Sequence, residues 1–322
     1  MDATCDVAPK GLYKEPISLG TGDGSTRFAT RCHPNADAVC AEVDAFFAER
    51  WPWPSDAARD SFLKTDSARW ACWTFPDAKN ERIVDIAKVT ALLFLIDDLW
   101  ETLPPTESKA MLKRFMPVVE GKLQPVVTNP YEQILYDTYA KMRAVNDALV
   151  EAVSRGMAIW ANTQVDQERK HCKGMGALLQ LRHKDSAAGW VTALMAYAMD
   201  LYLLPSERAS IVHIEKAYAY LAIIDNEIES YDKEVAASGR NGVVNLVQMQ
   251  ADDTGCSIAA SKRILWVLYR ELQLEFLELV AKREASAEGC SETLKSYMKG
   301  LECVMGGNEV WSGYSERYHP AG

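Results

Sequence analysis

Apolar residues recur at three- and four-residue intervals through most of the chain, the period of α-helices that bury one side. After Pro34 the stretch ADAVCAEVDAFFAERW keeps that spacing and stops at Trp51-Pro52-Trp53-Pro54, where two prolines prevent a helix from continuing. Ser55 can accept from the free backbone N–H groups of a next helix, which runs toward Trp73 and ends near Pro76. Helical patterns follow at roughly 80 to 102, 106 to 118, 130 to 170, 175 to 203, 206 to 237, 253 to 285 and 290 to 312. The joints hold Pro104-Pro105, Pro125 to Pro130, Gly174 to Gly176, Pro205 and Gly239 to Gly242. Residues 1–34 are rich in glycine and proline without an apolar period, which predicts an irregular N-terminal arm before one domain over 35–322. No train of alternating strands, hairpin signal, repeat or low-complexity tract is present. The expected fold class is therefore all-α: a single bundle of about ten helices. Segments such as WVTALMAYAMDLYLL are apolar over more than one face, so the bundle must enclose its central members.

Composition narrows the partners. Of 322 residues 48% are apolar and 25% charged, enough for a large core, and the formal charge of −10 makes nucleic acid an unlikely ligand. Apolar runs such as Val89 to Ile96 fall short of the ~18 to 20 residues that span a bilayer. The N-terminal sequence lacks a basic segment followed by an apolar one, and the eight cysteines form no CxxC pair. A cytoplasmic protein with reduced thiols, no membrane partner and no structural zinc is the expectation.

Two acidic or polar clusters stand out. Asp97-Asp98-Leu99-Trp100-Glu101 ends the apolar helix VTALLFLIDDLWE. Asp97 and Glu101 sit about 40° apart on one face, which Thr90, Leu93 and Phe94 continue toward the N-terminus. Three acids at a helix C-terminus oppose its dipole and call for a cation, although a simple solvated helix end has the same look. The second cluster is Asn226, Ser230 and Glu234, spaced i, i+4, i+8, so that they drift only about 80° around the helix. Amide, hydroxyl and carboxylate oxygens are hard ligands that suit Mg2+ rather than zinc, and Tyr218, Ala219, Ala222 and Ile223 continue that face as an apolar wall. The competing reading is a solvated terminus with intrahelical pairs such as Glu229 with Lys233.

Asp97-Asp98-x-x-Glu101 followed 129 positions later by Asn226-x-x-x-Ser230-x-x-x-Glu234 resembles the two metal motifs of class I terpene cyclases, most of all the single-domain sesquiterpene synthases of fungi. Arg182, 44 residues before Asn226, stands where that family has its pyrophosphate-sensing arginine. Arg317-Tyr318 matches the family's C-terminal pair, and Gly307-Asn308-x-x-Trp311 is similar to a fungal segment. Asp185-Ser186 occupies the effector position, with Ser where many relatives have Gly. The likeness covers about residues 35 to 320.

The resemblance implies a helical fold around an apolar cavity and an Mg2+-dependent lyase, with three ions, that ionises a linear isoprenyl diphosphate, most readily farnesyl diphosphate, and cyclises the cation. Asp97, Asp98, Glu101, Asn226, Ser230 and Glu234 are the candidate metal ligands. Arg182, Lys233, Arg317 and Tyr318 are the candidate diphosphate donors. Phe94, Trp311 and an aromatic from Trp70 to Phe75 are candidates to face the cation, at about 0.5 to 2 kcal/mol each. Trp311 is expected to follow a helix break at Gly306-Gly307, and the polar tail around 313–320 to close over the site. The five histidines lack ligand spacing, and the released diphosphate is the expected proton acceptor. Geranyl or geranylgeranyl diphosphate are alternative substrates. A chain-elongating prenyltransferase would carry two aspartate-rich motifs, and no Asp-x-Asp-Asp element of a protonation-initiated cyclase occurs. A non-catalytic helical scaffold is the remaining alternative. A monomer or homodimer is expected.

Overall fold

The structure, a computed structural model, describes residues 28–164, 172–239 and 242–320, without the side chains of Glu101, Pro105, Lys184 and Asp185. Among the described residues the chain forms thirteen helices and no strand: α1 (Ala36–Arg50), α2 (Asp56–Lys64), α3 (Ser67–Thr74), α4 (Ile83–Thr102), α5 (Pro105–Val119), α6 (Pro130–Gln164), α7 (Met175–Asp185), α8 (Ala188–Met199), α9 (Pro205–Ser210), α10 (Val212–Ser238), α11 (Leu246–Thr254), α12 (Ile258–Glu284) and α13 (Glu292–Tyr314). The expected all-α bundle is present, and short helices account for the excess over ten. Most of the N-terminal arm, residues 1–27, lies outside the described residues. Of the rest, Phe28 is buried with its ring 5.6 Å from that of Phe276.

Local chemistry explains the ends. Ser55 caps α2 as its position predicts, accepting from Ala58 N at 3.1 Å, and Ser257 and Ser291 do the same for α12 and α13. Three expected segments each divide in two. The stretch from 55 to 76 turns at Asp66, whose φ of 54° is left-handed. The stretch from 175 to 203 breaks at Ser186-Ala187, and that from 206 to 237 at the single residue Ile211. Helix α11 lies where no helical pattern is expected; Asn245 starts it by accepting from Val247 N at 2.8 Å.

Helix α8 is buried on nearly all sides, as its sequence requires, with Trp190, Leu194 and Tyr197 in the core. It packs on α6, while α10 packs on α12, and α3 packs on both α4 and α13. No described helix is long and apolar enough to cross a membrane.

The expected break at Gly306-Gly307 does not occur. Helix α13 runs straight through both glycines to Tyr314. They serve close approach instead. A Cβ at Gly307 would fall on the carbonyl of Trp73, and one at Gly306 would lie 2.9 Å from Thr30 Cγ2 and 3.1 Å from Phe28 Cβ. Glycine weakens a helix by about 1 kcal/mol relative to alanine, and here that loss is exchanged for contact between α13 and α3. Gly307→Ala should therefore lower the unfolding free energy by about 1–3 kcal/mol in denaturant titration. Gly176→Ala, where nothing lies within 4 Å, should be neutral or gain up to about 1 kcal/mol. Equal effects at the two sites would refute the close-approach account.

Candidate active site

A cavity of about 490 Å³ lies between α3, α4, α6, α7, α8, α10 and α13. Its apolar wall includes Leu93 and Phe94 of α4, Val191 of α8, Tyr218, Ala222 and Ile223 of α10, and Val304 and Met305 of α13. On both α4 and α10 polar groups follow in the next turns: Asp97 on one, Asn226, Ser230, Lys233 and Glu234 on the other. Thr90 and Ala219 are buried but do not line the cavity. An apolar wall giving way to oxygen-bearing side chains is thus present on two helices.

Asp98 ties the rim together. Arg317 donates to it twice, Nη1 to Oδ2 at 2.9 Å and Nη2 to Oδ1 at 3.0 Å, and Lys233 Nζ donates to Oδ1 at 2.8 Å. Arg317 Nη2 also lies 3.5 Å from Asp97 Oδ2. Burial pushes the Asp98 carboxyl up, but the charges and hydrogen bonds of Arg317 and Lys233 outweigh it and hold the group below the usual carboxylate range. Burial likewise opposes the Arg317 charge, and Asp98 more than restores it. Burial also raises the Tyr318 phenol, which stays a protonated donor at neutral pH.

On α10, Ser230 Oγ donates to Glu234 Oε1 at 2.6 Å, and Asn226 Oδ1 accepts from Arg182 Nη2 at 2.9 Å. Two partners escape the sequence reading. Glu227, buried, accepts from Arg182 Nε at 2.6 Å through one oxygen and from Leu246 N at 2.7 Å through the other. Asn245 donates to Glu234 Oε2 at 3.2 Å while capping α11. Both join different helices, so no spacing along one helix announces them.

Arg182, Ser186, Asn308, Trp311, Arg317 and Tyr318 all line the cavity. Among the described residues Ser186 Oγ is buried without a hydrogen-bond partner. The side chains of Glu101 and Asp185 lie outside the described residues, although their backbones end α4 and α7. Phe94 stacks on Trp311 at 5.4 Å and 17°, and meets Trp70 edge-on at 6.0 Å and 88°. Of the Trp70 to Phe75 stretch only Trp70 reaches the lining; Trp73 and Phe75 do not. Trp100 and Trp160, stacked at 5.8 Å, form a further aromatic wall that the sequence reading does not single out.

The tail docks across the rim from 315 onward, since 313 and 314 still belong to α13. Ser315 Oγ donates to Thr65 O at 2.7 Å, Tyr314 OH to Asp66 Oδ2 at 3.2 Å, and His319 Nε2 lies 3.0 Å from Glu229 Oε2. Among the described residues no three of His, Cys, Asp and Glu gather into a cation site. The α10 triad carries one carboxylate only, and its amide, hydroxyl and carboxylate oxygens on one cavity-lining face fit a hard divalent ion with part of its water or phosphate shell.

Three comparisons show the family. Residues 88–273 match the model for terpene synthase family 2, C-terminal metal binding. The chain is 36% identical over 300 residues to aristolochene synthase of Penicillium roqueforti, covering 91% of this chain and 87% of that one. It is 33% identical over 297 residues to aristolochene synthase of Aspergillus terreus, covering 90% and 92%. The crystal structure of the Penicillium roqueforti enzyme superposes with a TM-score of 0.83 at 35% identity, over 90% of this chain and 98% of that one. With the family model matched over more than half its length and such relatives over nine-tenths of it, the chain belongs to the class I terpene synthases and is a divalent-metal-dependent sesquiterpene cyclase.

Proposed function

We propose that the chain converts farnesyl diphosphate to a cyclic fifteen-carbon hydrocarbon and diphosphate, with aristolochene the product to which its relatives' names point. The observation that carries this is the arrangement of hard oxygen-bearing side chains and three cations around one end of a cavity walled by aromatic and aliphatic side chains. Asp97 and Asp98 with Glu101 on α4, and Asn226, Ser230 and Glu234 on α10, would hold Mg2+, three ions by the family resemblance. When bound, Mg2+ supplies Lewis acidity that neutralises the charge developing on the leaving group.

The chain's own residues do the rest. Arg182, Lys233 and Arg317 can exchange their present carboxylate and amide partners for phosphate oxygens, and Tyr318 adds a neutral donor. Ser186, at the α7–α8 break, offers a buried hydroxyl at the cavity with no partner among the described residues, with Asp185 preceding it as the other effector residue. Phe94, Trp311 and Trp70 would present ring faces or edges to the carbon skeleton, and closure of the rim would exclude the water that would quench it. Asn308 holds the wall together. No side-chain base is required, because the departing diphosphate can accept the final proton.

Incubation with the 10-, 15- and 20-carbon diphosphates and Mg2+ should yield a cyclic hydrocarbon from the 15-carbon substrate foremost. Asn226→Ala and Asp97→Ala should lower kcat by about 100-fold or more while melting temperature stays near that of the parent. Addition of isopentenyl diphosphate with no change in product separates the cyclase from a prenyltransferase. Near-normal turnover in either variant at saturating Mg2+ would overturn the metal assignment.

The docked tail makes a pH prediction. Because the folded pKa of Asp98 is lowered, its pairing stabilises the protein fully above the unfolded value and is lost only as pH falls through the lower folded value. In chelator, the stability gap between the parent and Asp98→Asn should stay constant from pH 7 to 5 and close on acidification below about pH 4. A gap already closed at pH 6 would show that Arg317 and Lys233 do not hold the carboxyl down.

A further inference from the structure

One carboxylate in the cavity wall is left over after the metal and diphosphate groups are assigned. Asp225 is 1% exposed and lines the cavity immediately before Asn226. A dry pocket built for a carbocation has reason to avoid such a group, so its presence needs a structural account. Asn308 Nδ2 donates to Asp225 Oδ2, and Oδ1 of the same amide accepts from Trp70 Nε1 at 2.7 Å. An indole N–H only donates, so the Asn308 amide has one orientation: oxygen to Trp70, nitrogen to Asp225. The three residues form a directed chain that crosses from α3 through α13 to α10.

The far end of that chain is a ring in the cavity wall. Trp70 is edge-on to Phe94, which in turn stacks on Trp311. A carbocation offers no hydrogen-bonding group to grip; it is oriented by the shape of the wall and by the negative faces of its rings. The plane in which the Trp70 indole is held therefore bears on which carbon carries positive charge comfortably. Ionisation, controlled at the rim, does not depend on it. In a low-dielectric interior the amide's hydrogen bonds are strong and costly to leave unmade, so Asp225 removes alternative rotamers of Asn308 and, through it, of Trp70.

We propose that Asp225 is a positioning residue for product specificity: through Asn308 it fixes the plane of the Trp70 indole in the cavity wall and thereby selects among the products open to the cation. The proposal rests on the cyclase reading and adds to it a residue outside both metal motifs. It also separates a positioning role from a direct one, in which the carboxylate charge would act on the cation itself.

Product ratios from farnesyl diphosphate and Mg2+, read by gas chromatography, distinguish these roles. Asp225→Asn keeps an oxygen acceptor for Asn308 Nδ2 and should retain the parent's main product and ratio. Asp225→Ala and Asn308→Leu should both shift the ratio by more than about twofold toward linear or early-quenched products, with KM changed less than about twofold. Trp70→Phe, which removes the N–H, should give the same altered pattern, and adding Asp225→Ala to it should change the pattern no further. Thermal melts establish that each variant is folded; if Asp225→Ala is not, Asn308→Leu and Trp70→Phe still make the comparison. A shift in Asp225→Asn as large as in Asp225→Ala would overturn the proposal in favour of direct charge action, and parent-like ratios in folded Asp225→Ala would overturn both roles. Absence of any terpene from the parent protein would instead overturn the substrate reading on which the proposal stands.

Discussion

The pairing of Asp98 with Arg317 and Lys233 joins α4, α10 and the C-terminal tail at one point. Carboxylates at the end of α4 face the negative end of its dipole, and a solvated helix end would leave that repulsion to water. Here two cations offset it, one of them brought from a position 219 residues away. The cost is that Arg317 must be largely desolvated, which the two hydrogen bonds to Asp98 and the ring of Phe94, 4.7 Å from its guanidinium, compensate. On the proposed reading, an incoming trianion would compete with Asp98 for both cations. The same contacts that dock the tail would then be the ones an anionic ligand rearranges, which would couple closure of the cavity to occupation of its rim.

That coupling needs a tail anchored at its start. The left-handed turn at Asp66 between α2 and α3 supplies the anchor: its backbone carbonyl accepts from Trp311 Nε1 at 2.9 Å and its carboxylate from Tyr314 OH. The close contact of Gly306 and Gly307 with residues 28–30 and 73 sets α13 at the depth where this geometry is reachable. On the other side of α13, Arg270 of α12 donates to Glu309 Oε2 at 2.9 Å, holding the turn that carries Asn308. Only the residues beyond Ser315 are left to move without disturbing these anchors.

What could be read from the sequence is what local spacing encodes. The stripe Asn226, Ser230, Glu234 and the end of α4 follow from helical periodicity alone, since neighbours on one helix face are fixed by the 3.6-residue turn. Arg182 with Glu227, and Glu234 with Asn245, span different helices, so their pairing depends on how the bundle closes. The break at Ser186-Ala187 carries neither proline nor glycine, and Ile211 turns the chain within one residue. Gly306-Gly307 looks like a breaker because glycine both weakens helices and permits close packing. The neighbouring carbonyl of Trp73, invisible in sequence, decides between the two.

The aromatic wall shows why tryptophan rather than phenylalanine stands at two of its three central positions. Trp70 and Trp311 each send the indole N–H away to a partner that is not another ring, Asn308 in one case and the Asp66 carbonyl in the other. A ring tethered at its polar tip cannot spin to follow a moving cation, so its quadrupole keeps one direction. Phe94 lacks such a tether, but it is held between them, stacked on one and edge-on to the other, with Arg317 over its ring. The guanidinium that reaches Asp98 at the rim therefore also covers a ring of the wall. Rearrangement of Arg317 toward a diphosphate would uncover that ring to the hydrocarbon as the leaving group is gripped, placing the cation-stabilising face and the trigger under one side chain.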